Sequence, residues 1–559
     1  MGRAIAIALI AMLPACAQVE APSLPQNAES AFVKRVRQVF ARVPTTLEKN
    51  HKEFVVPDGT VSGFGAGEAY PQIWLRDSAW IVPAAASYYD APALTSWLDL
   101  HLSVAAKNGR LRDWVAASAP ETFREWAPQV SAVGPLAVDT NTNESDQEPS
   151  AALAYCRARE VLAETDDPAH PSRLARLVKA MDALLRDRTD PKTGLVWSGL
   201  TADWGDVSPL YPDQRAIYLD AQTPRTLSLY SNVMTYAALN CLSGLEGPRA
   251  TSARLAERAA KLREAIRATF WMKDRGHFRI RLALDPAPEA FAAQEDERFA
   301  LGGNALAALH GVADDAQAAA IFETAERLRQ AHRFSTISTT LIPPYPASVF
   351  QHPAMREPFQ YQNGGQWDWY GAALVEAEFA RGHSRQARAH LDQILARTLA
   401  AGPGIHEWYA QDGSPRGSPA YAASAAALHG AIVRGLLGLA RSKDGYRLSI
   451  RVGETLERLV GPELGLAELA QLDERAHLTG PGGGVLRIEL ERLRKRPQRR
   501  LEVGLLERPL RVGQATRLIV PRRLPARLAL MFVIEFEIGE AAHEANVNTG
   551  TVPPLSSIA

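Results

Sequence analysis

Apolar residues recur at intervals of three and four along the chain up to about residue 440, which predicts a long series of helices. The predicted helices come in pairs joined by short turns, and polar and aromatic segments separate the pairs. They cover approximately residues 29–42, 77–89, 91–107, 147–163, 170–187, 226–243, 251–270, 303–311, 314–330, 366–381, 384–400 and 420–440. About twelve helices in about six hairpins is the count of an (α/α)6 toroid, in which an outer ring of helices surrounds an inner one.

The pattern changes near residue 443, where alternating and β-rich stretches replace the helical spacing. Residues 446–452, 485–490, 500–503 and 528–538 are predicted strands, with a glycine-rich turn at 480–484. The chain is therefore predicted to be mainly α, with a helical toroid over residues 18–442 and a small β-sheet domain over 443–540. Residues 541–559 are small and polar, and we expect them to be poorly ordered.

Residues 1–17 have the layout of a signal peptide: a basic Arg3, an apolar run over residues 4–13 and an Ala-x-Ala cleavage site at 15–17. The apolar run is too short to cross a bilayer, so we expect no transmembrane span. The segment ending at Cys16 also resembles a bacterial lipobox, in which case that cysteine would carry a lipid. Either interpretation exports the chain, and we expect a periplasmic or secreted protein.

Two further cysteines, Cys156 and Cys241, each lie in an apolar helical stretch. We interpret them as buried thiols, since free cysteine packs as a small apolar residue. A disulfide between them is the alternative in an exported protein.

The numbers of basic and acidic residues indicate which classes of binding partner the chain suits. The chain has 62 basic and 62 acidic residues and a formal net charge of +0, which gives no basis for binding nucleic acid or an anionic membrane. A neutral substrate suits this balance. The 13 histidines show neither H-x-x-x-H nor H-E-x-x-H spacing, and no phosphate-binding glycine-rich loop occurs. We therefore predict no metal and no other cofactor.

The most distinctive stretch is Gln362–Tyr370, which combines two tryptophans, two glycines, an aspartate and several side-chain amides. Buried indoles, amides and carboxylates each need a polar partner, so a plain core helix does not explain this composition. Aromatic faces suit the C–H faces of a sugar, and amides and carboxylates bind its hydroxyls. We therefore predict a carbohydrate site lined by Asn363, Gln366, Trp367, Asp368 and Trp369.

Four other polar and aromatic stretches lie between helix pairs, where a toroid has its open end. They contain Trp74, Arg76 and Asp77; Asp146 and Gln147; Asp203, Trp204 and Asp206; and Glu407. Each has a simpler explanation: a helix cap, a favourable helix-dipole interaction, a turn held by aspartate side chains, or a surface acid. Two aspartates beside two tryptophans, and a glutamate followed by Trp408 and Tyr409, fit a pocket better.

Together these stretches resemble the six-hairpin glycosidases, the inverting (α/α)6 enzymes that include trehalase, processing α-glucosidase and glucoamylase. Residues 363–368 are similar to the trehalase Q-W-D segment, and residues 74–79 to the glucoamylase W-x-R-D-x-A segment, whose Arg-Asp pair binds the non-reducing sugar. Residues 145–149 resemble the S-Q-P-P segment, and 203–208 resemble the E-S-G-W-D-x-S segment of the general acid. Glu407 matches the segment of the general base, and the matches follow the family's order.

The resemblance implies an inverting, exo-acting hydrolase for an α-linked glucoside, mannoside or related oligosaccharide. Glu407 would activate water and Asp206 would protonate the leaving oxygen, while the other residues named above would bind the sugar. Gly205 departs from the family pattern, which leaves Asp203, adjacent to Trp204, as the alternative acid. Asp206 is preferred because a serine follows it at the family's spacing.

Two other functions are compatible with the sequence. A polysaccharide lyase on the same toroid needs a Tyr or His base and a cation to neutralise a uronate carboxylate. These loops instead carry acids and tryptophans, with His406 as the one site-like histidine. A non-catalytic glycan-binding surface protein would leave the paired acids without a role.

Overall fold

The computed structural model describes residues 31–56, 59–162, 167–289, 295–442, 445–450, 475–479, 485–492, 516–520 and 530–536. It is mostly helical, with 50% helix and 15% strand, which confirms the expected mainly-α class. The predicted signal peptide, the lipobox and the C-terminal tail lie outside the described residues. Within those residues, no helix is both long and apolar enough to cross a bilayer.

Thirteen α-helices occur among the described residues. They are α1 (Ala31–Phe40), α2 (Arg42–Asn50), α3 (Leu75–Ala85), α4 (Ala91–Ser103), α5 (Gln147–Leu162), α6 (His170–Arg188), α7 (Leu229–Ser243), α8 (Arg249–Phe270), α9 (Leu301–Leu309), α10 (Asp315–Ala331), α11 (Asp368–Ala380), α12 (Ser384–Ala400) and α13 (Ala422–Gly430). A π-helical turn, Ala431–Leu436, extends α13. Each predicted helix has a counterpart, but α2 was not predicted, because Pro44 and two threonines weaken its helical signal.

Alternate helices from α3 onward pack against one another in a closed series. α3 contacts α5, α5 contacts α7, and the series continues through α9, α11 and α13, which contacts α3 again. Each of α4, α6, α8, α10 and α12 packs against a member of this series, and α1 and α2 pack against α12 and α13. This arrangement is consistent with an α-rich toroid.

Burial separates the two sets of helices. Every residue from Asp368 to Phe379 in α11 is buried, and so is nearly all of α9 and α13. In α8 the buried residues instead recur at intervals of three and four: Leu255, Ala259, Leu262, Ile266 and Phe270. A helix that is covered on all sides belongs inside a bundle, whereas a helix with one apolar stripe lies on its surface. The closed series is therefore the inner one.

The strands are short, apart from one hairpin and the C-terminal set. They are β1 (His51–Val56), β2 (Gly59–Phe64), β3 (Ile73–Trp74), β4 (Trp114–Ala116), β5 (Ser131–Val133), β6 (Leu136–Asp139), β7 (Trp197–Gly199), β8 (Arg225–Ser228), β9 (Trp271–Met272), β10 (His277–Phe278), β11 (Arg281–Ala283), β12 (Phe299–Ala300), β13 (Leu341–Ile342), β14 (Trp408–Tyr409), β15 (Pro415–Arg416), β16 (Leu439–Ser442), β17 (Gly445–Ile450), β18 (Arg475–Thr479), β19 (Val485–Arg492), β20 (Thr516–Val520) and β21 (Leu530–Phe536).

Several short strands run directly into inner helices and tie their first turns to neighbouring loops. β3 leads into α3, β8 into α7 and β12 into α9. β3 also belongs to a four-stranded sheet in the order β3-β4-β6-β5, and β8 lies between β11 and β7. Because these strands hold the segments that precede the inner helices, the polar residues of those segments have fixed positions.

The last six strands pair antiparallel in the order β16-β17-β20-β18-β19-β21. They lie mainly in the region where β structure was predicted, although β16 begins at Leu439, before the expected boundary. The predicted strand at 500–503 lies outside the described residues.

The interpretation of Cys156 and Cys241 as free thiols was wrong, because the two residues form a disulfide. Cys156 lies on α5 and Cys241 lies on α7, and these two inner helices pack side by side. The disulfide therefore joins two neighbours of the inner series across 85 positions of sequence.

Candidate active site

Glu407 lies just before β14, in the segment between α12 and α13, and is only 3% exposed. Its Oε2 atom accepts hydrogen bonds from the Tyr70 hydroxyl at 3.2 Å and from the Ser418 backbone N–H at 3.0 Å. Burial raises the pKa of the Glu407 carboxyl, the two hydrogen bonds oppose that rise, and the charge of Asp206 adds to it. Asp206 and Glu407, which are distant in sequence, therefore share one electrostatic environment.

Asp206 is only partly buried, and the segment before α11 holds it in place. Gln362 donates its Nε2–H to Oδ1 of Asp206 at 2.9 Å, and its Oε1 atom accepts the backbone N–H of Asp206 at 3.3 Å. The carbonyl of Asp206 accepts from the amides of Asn141 and Asn143 at 3.4 and 3.5 Å. Among the described residues, the second carboxylate oxygen, Oδ2, has no hydrogen-bond partner.

Asp203, the alternative acid, has different surroundings. Its carboxylate accepts the backbone N–H of Gly303, in the first turn of α9, at 3.2 and 3.3 Å. Asp203 is 3% exposed, and burial raises its pKa to about 7 although the N–H groups of Gly303 and Gly302 oppose the rise. Its backbone is left-handed, with φ 50°, which an aspartate tolerates better than most residues. Asp203 therefore caps an inner helix, whereas one oxygen of Asp206 remains unpartnered.

The predicted Arg76 and Asp77 lie in the first turn of α3. Arg76 donates to both carboxylate oxygens of Asp146 at 2.6 and 3.3 Å, and lies 3.8 Å from Glu144. Asp146 also accepts the hydroxyl of Tyr230 at 2.9 Å, so it holds Arg76 in one orientation. Arg76 thereby joins the first turn of α3 to the segment that precedes α5.

Asp77 faces the segment that carries the proposed base. It accepts the hydroxyl of Tyr421, the residue before α13, at 3.0 Å. Burial raises the pKa of Asp77 to about 7, with the charge of Glu407 adding to the rise and Arg76 opposing it. Asp77 therefore belongs to the same pocket as Glu407.

Three predicted site residues of the early stretches, Trp74, Gln147 and Trp204, remain to be placed. The two tryptophans pack against other aromatic rings, and Gln147 has an amide oxygen without a partner. Trp74 stacks with Trp126, with ring centroids 6.4 Å apart, and both rings are partly exposed. Gln147 donates to the carbonyl of Asn141 at 2.9 Å, and its buried Oε1 atom has no partner. Trp204 is buried, with its ring centroid 4.8 Å from that of Trp367.

The stretch at 363–369 is bonded to the protein at nearly all its polar groups. Asn363 accepts the N–H of Tyr345 and donates to three carbonyls, while Gln366 contacts Thr336, Arg397 and the carbonyl of Ala410. Asp368 is 0% exposed and accepts from Arg397 and Ser338. Trp367 and Trp369 are each 1% exposed. We therefore expect these residues to support the pocket wall from behind.

Asp113 is a pocket residue that the sequence did not predict. It directly precedes β4, is 6% exposed, and its carboxyl makes no hydrogen bond with any described residue. Burial raises its pKa well above the ordinary range, Arg76 opposes the rise, and the charges of Asp146, Asp206 and Asp77 add to it. A single aspartate between arginine and tryptophan carries no motif, so only the three-dimensional arrangement reveals it.

Tyr361 was also not predicted, and Tyr70 was not named as a site residue, although it begins the stretch that contains Trp74 and Arg76. Tyr361 is partly exposed, its backbone is left-handed with φ 44°, and its ring centroid lies 5.1 Å from Trp367 and 6.1 Å from Trp408. Burial raises the pKa of the Tyr361 hydroxyl, and the charges of Asp206 and Glu407 raise it further. Tyr361 therefore lies near both carboxylates. A left-handed backbone at a residue other than glycine is strained, and such strain is common in functional sites.

This arrangement brings together the segments that carry two carboxyl groups with different environments. The Glu407 carboxyl is buried and receives two hydrogen bonds, whereas Asp206 is partly exposed with one oxygen free. Such a pair can donate a proton on one side of a substrate and accept one on the other. Among the described residues, no cluster of three or more His, Cys, Asp or Glu could hold a metal ion.

Comparison with known proteins identifies the family of the chain. Residues 70–424 match a family described as the mannosylglycerate hydrolase MGH1-like glycoside hydrolase domain. The fold is similar to that of the GH63 mannosylglycerate hydrolase from Thermus thermophilus in complex with glucose, with a TM-score of 0.51 and 17% identity over 70% of this chain and 99% of that chain. A structure of that hydrolase in complex with Tris gives a TM-score of 0.51 and 16% identity over the same shares. No curated protein matches the chain.

At such identities the two structures establish similarity of fold alone. The family match, however, spans more than half of the chain and includes Arg76, Asp206 and Glu407. The resemblance to six-hairpin glycosidases is confirmed, and the chain belongs to the mannosylglycerate hydrolase MGH1-like family of glycoside hydrolases.

Proposed function

We propose that this protein is an inverting, exo-acting glycoside hydrolase in which Asp206 is the general acid and Glu407 the general base. The observation that carries the proposal is the convergence of the segments that hold these two carboxyl groups. Gln362 donates to Asp206 at 2.9 Å. Gln366, four residues later, pairs with Tyr409, which lies two residues after Glu407. In inverting enzymes the two groups stand about 6.5–9.5 Å apart, which leaves room for the attacking water.

The surroundings of each group suit its role. Tyr70 and Ser418 donate to Glu407 and so favour its ionised form, which a base requires. The free Oδ2 atom of Asp206 is available to the glycosidic oxygen. As the C–O bond breaks, that oxygen takes the proton of Asp206, while Glu407 takes a proton from the water that attacks the anomeric carbon.

The sugar being cleaved would be bound at the first turn of α3. Arg76, Asp77 and Asp113 supply donors and acceptors for its hydroxyls, and Trp74 supplies an aromatic face. Asp113 is the strongest of these candidates, because its residue is only 6% exposed and its carboxyl has no hydrogen-bond partner among the described residues, so a sugar hydroxyl can donate to it. We propose an α-linked glucoside, mannoside or related oligosaccharide as the substrate class.

We also infer that the helical part is an (α/α)6 toroid followed by a small β domain, and that the protein is exported. The closed series of six inner helices supports the toroid. The disulfide supports export, because such bonds persist mainly in oxidising compartments.

The decisive experiment replaces each carboxylate by its amide and determines the anomer of the product. Asp206→Asn and Glu407→Gln should each lower kcat about 10²–10⁴-fold on α-glucosides, α-mannosides or trehalose while the fold is kept. Asp213→Asn is the matched control, since Asp213 is an exposed aspartate of the same loop that pairs with Arg215. NMR of the first product should show inverted configuration. Wild-type rates in both amide variants, or retention of configuration, would refute the proposal.

A further inference from the structure

Gln362 contacts Asp206 with both ends of its side-chain amide. Its Nε2–H donates to Oδ1 of Asp206 at 2.9 Å, and its Oε1 accepts the backbone N–H of the same residue at 3.3 Å. A backbone N–H can only donate, so the amide oxygen must face it, and the NH2 group must face the carboxyl. Gln362 is 2% exposed, which keeps water from competing for these bonds.

Gly205 makes this approach possible. A Cβ atom at position 205 would lie 2.7 Å from Oε1 of Gln362 and 2.7 Å from the carbonyl oxygen of Ala202. Both distances are far inside ordinary contact, so a larger residue would displace the amide or the turn. Gly205 is not among the residues with positive φ, so the requirement is for space. The residue that departs from the family pattern is thus the one that admits the Gln362 amide.

We propose that Gln362 is a positioning residue that fixes which oxygen of Asp206 delivers the proton to the leaving group. Because the amide N–H occupies Oδ1, a proton on that oxygen would face another hydrogen, and the proton is therefore carried by Oδ2. This inference rests on the proposed role of Asp206 as general acid. When Oδ2 gives its proton to the departing oxygen, the electron pair of the broken C–O bond stays with that oxygen. The N–H bond to Oδ1 then stabilises the new carboxylate.

The role predicts a dependence on the leaving group. A poor leaving group, such as the sugar of a disaccharide, needs the proton, whereas 2,4-dinitrophenolate or fluoride departs without it. Loss of the positioning contact should therefore slow hydrolysis of the natural type of bond and affect activated substrates far less. A variant that only weakens the fold would slow both reactions to the same extent.

The basic limb of the kcat/KM profile gives a second readout. Removing an N–H donor, or placing a like charge beside Asp206, disfavours its ionised form, so the limb should move to higher pH. Other charged groups that act on Asp206 are Arg76, Asp113, Glu144, His352 and Glu407, and the variants leave them in place.

The test compares Gln362→Ala, the near-isosteric Gln362→Glu and Gly205→Ala with the wild-type full chain. Gln360→Ala is the control, because Gln360 lies two residues away with an exposed side chain. For the three variants we expect about tenfold or greater loss of kcat/KM on a disaccharide or alkyl glycoside, and less than about threefold loss on the dinitrophenyl glycoside. The basic limb should rise for both Gln362 variants, while Gln360→Ala should match the wild type.

Asp206→Asn, measured in parallel, separates this inference from the proposed function. If Asp206→Asn keeps wild-type activity, the assignment of the acid is wrong and the inference fails with it. If Asp206→Asn is inactive on poor leaving groups but both Gln362 variants keep the wild-type limb and leaving-group dependence, only the positioning role is overturned. Melting temperatures from circular dichroism identify unfolded variants, and the Glu variant preserves side-chain volume should the Ala variant unfold.

Discussion

Replacing Tyr70 by phenylalanine should make the proposed base harder to ionise. The Tyr70 hydroxyl donates to Oε2 of Glu407 at 3.2 Å and so favours the carboxylate. Burial raises the pKa of Glu407, while the donors Ser418 and Tyr70 lower it. Removal of one donor therefore raises the pKa further. A hydrogen bond to a charged group contributes about 1.5 kcal/mol at the weak end, and 1.36 kcal/mol corresponds to one pKa unit. A bond of 3.2 Å is long for an O–H donor, so we expect its loss to lie at the weak end of that range.

The assay is the acid limb of kcat/KM, measured with a substrate that needs no protonated leaving group. Activity through Glu407 is present when its carboxyl is ionised and is lost as pH falls through its pKa. The limb should therefore move to higher pH in Tyr70→Phe, with little loss of rate well above it. Tyr211→Phe is the control, because that hydroxyl contacts Asp220 instead. An unchanged limb, or a shift to lower pH, would contradict the assignment of Glu407 as base.

Three further predictions concern the structure around the pocket. Gly417→Ala should lower kcat at least about tenfold, because the new Cβ atom would lie 2.4 Å from Oε2 of Glu407 and the residue has φ 66°. Kinetics near those of the wild type would count against this packing. Arg397→Met should lower the free energy of unfolding in urea by about 3–5 kcal/mol, because it leaves Asp368 buried without its cation. A loss under about 1 kcal/mol would be incompatible with a buried ion pair. Cys241→Ser should lower the free energy of unfolding by about 2–4 kcal/mol and abolish any effect of reductant on unfolding. Equal stability of the wild type with and without reductant would argue against a disulfide.

Helical spacing in the sequence predicted most of the helices, because in an outer helix such as α8 apolar residues recur at intervals of three and four along most of its length. The sequence did not predict α2, because Pro44 and the adjacent threonines have low helix propensity. Packing against α13 stabilises this helix despite its low propensity. Two-residue strands such as β3 and β12 have no period to detect. They follow from pairing with distant segments, which a single sequence does not display.

The predicted pocket stretches do meet, as the contacts from Arg76 to Asp146 and from Tyr70 to Glu407 demonstrate. Sequence reasoning was less able to separate residues that face the pocket from those that support it. Asp368 and Asp113 illustrate the difference: both are buried aspartates, but Asp368 is bound to Arg397 whereas Asp113 has no hydrogen-bond partner among the described residues. That distinction depends on long-range contacts, and no local pattern encodes it.

The concentration of acids in this pocket decides how its pH dependence should be interpreted. Asp77 has a pKa of about 7 because of burial, and it interacts with Glu407, so its titration also affects catalysis at neutral pH. A basic limb near that pH can therefore reflect the ionisation of Asp77 and does not by itself identify the proton donor. Leaving-group dependence separates the two, because only the proton of the general acid is transferred to the departing oxygen. Asp77→Asn should remove the contribution of Asp77 to the basic limb. It should lower kcat/KM to the same extent for substrates with poor and with activated leaving groups. The same change at Asp206 should spare activated substrates, and this contrast identifies the proton donor.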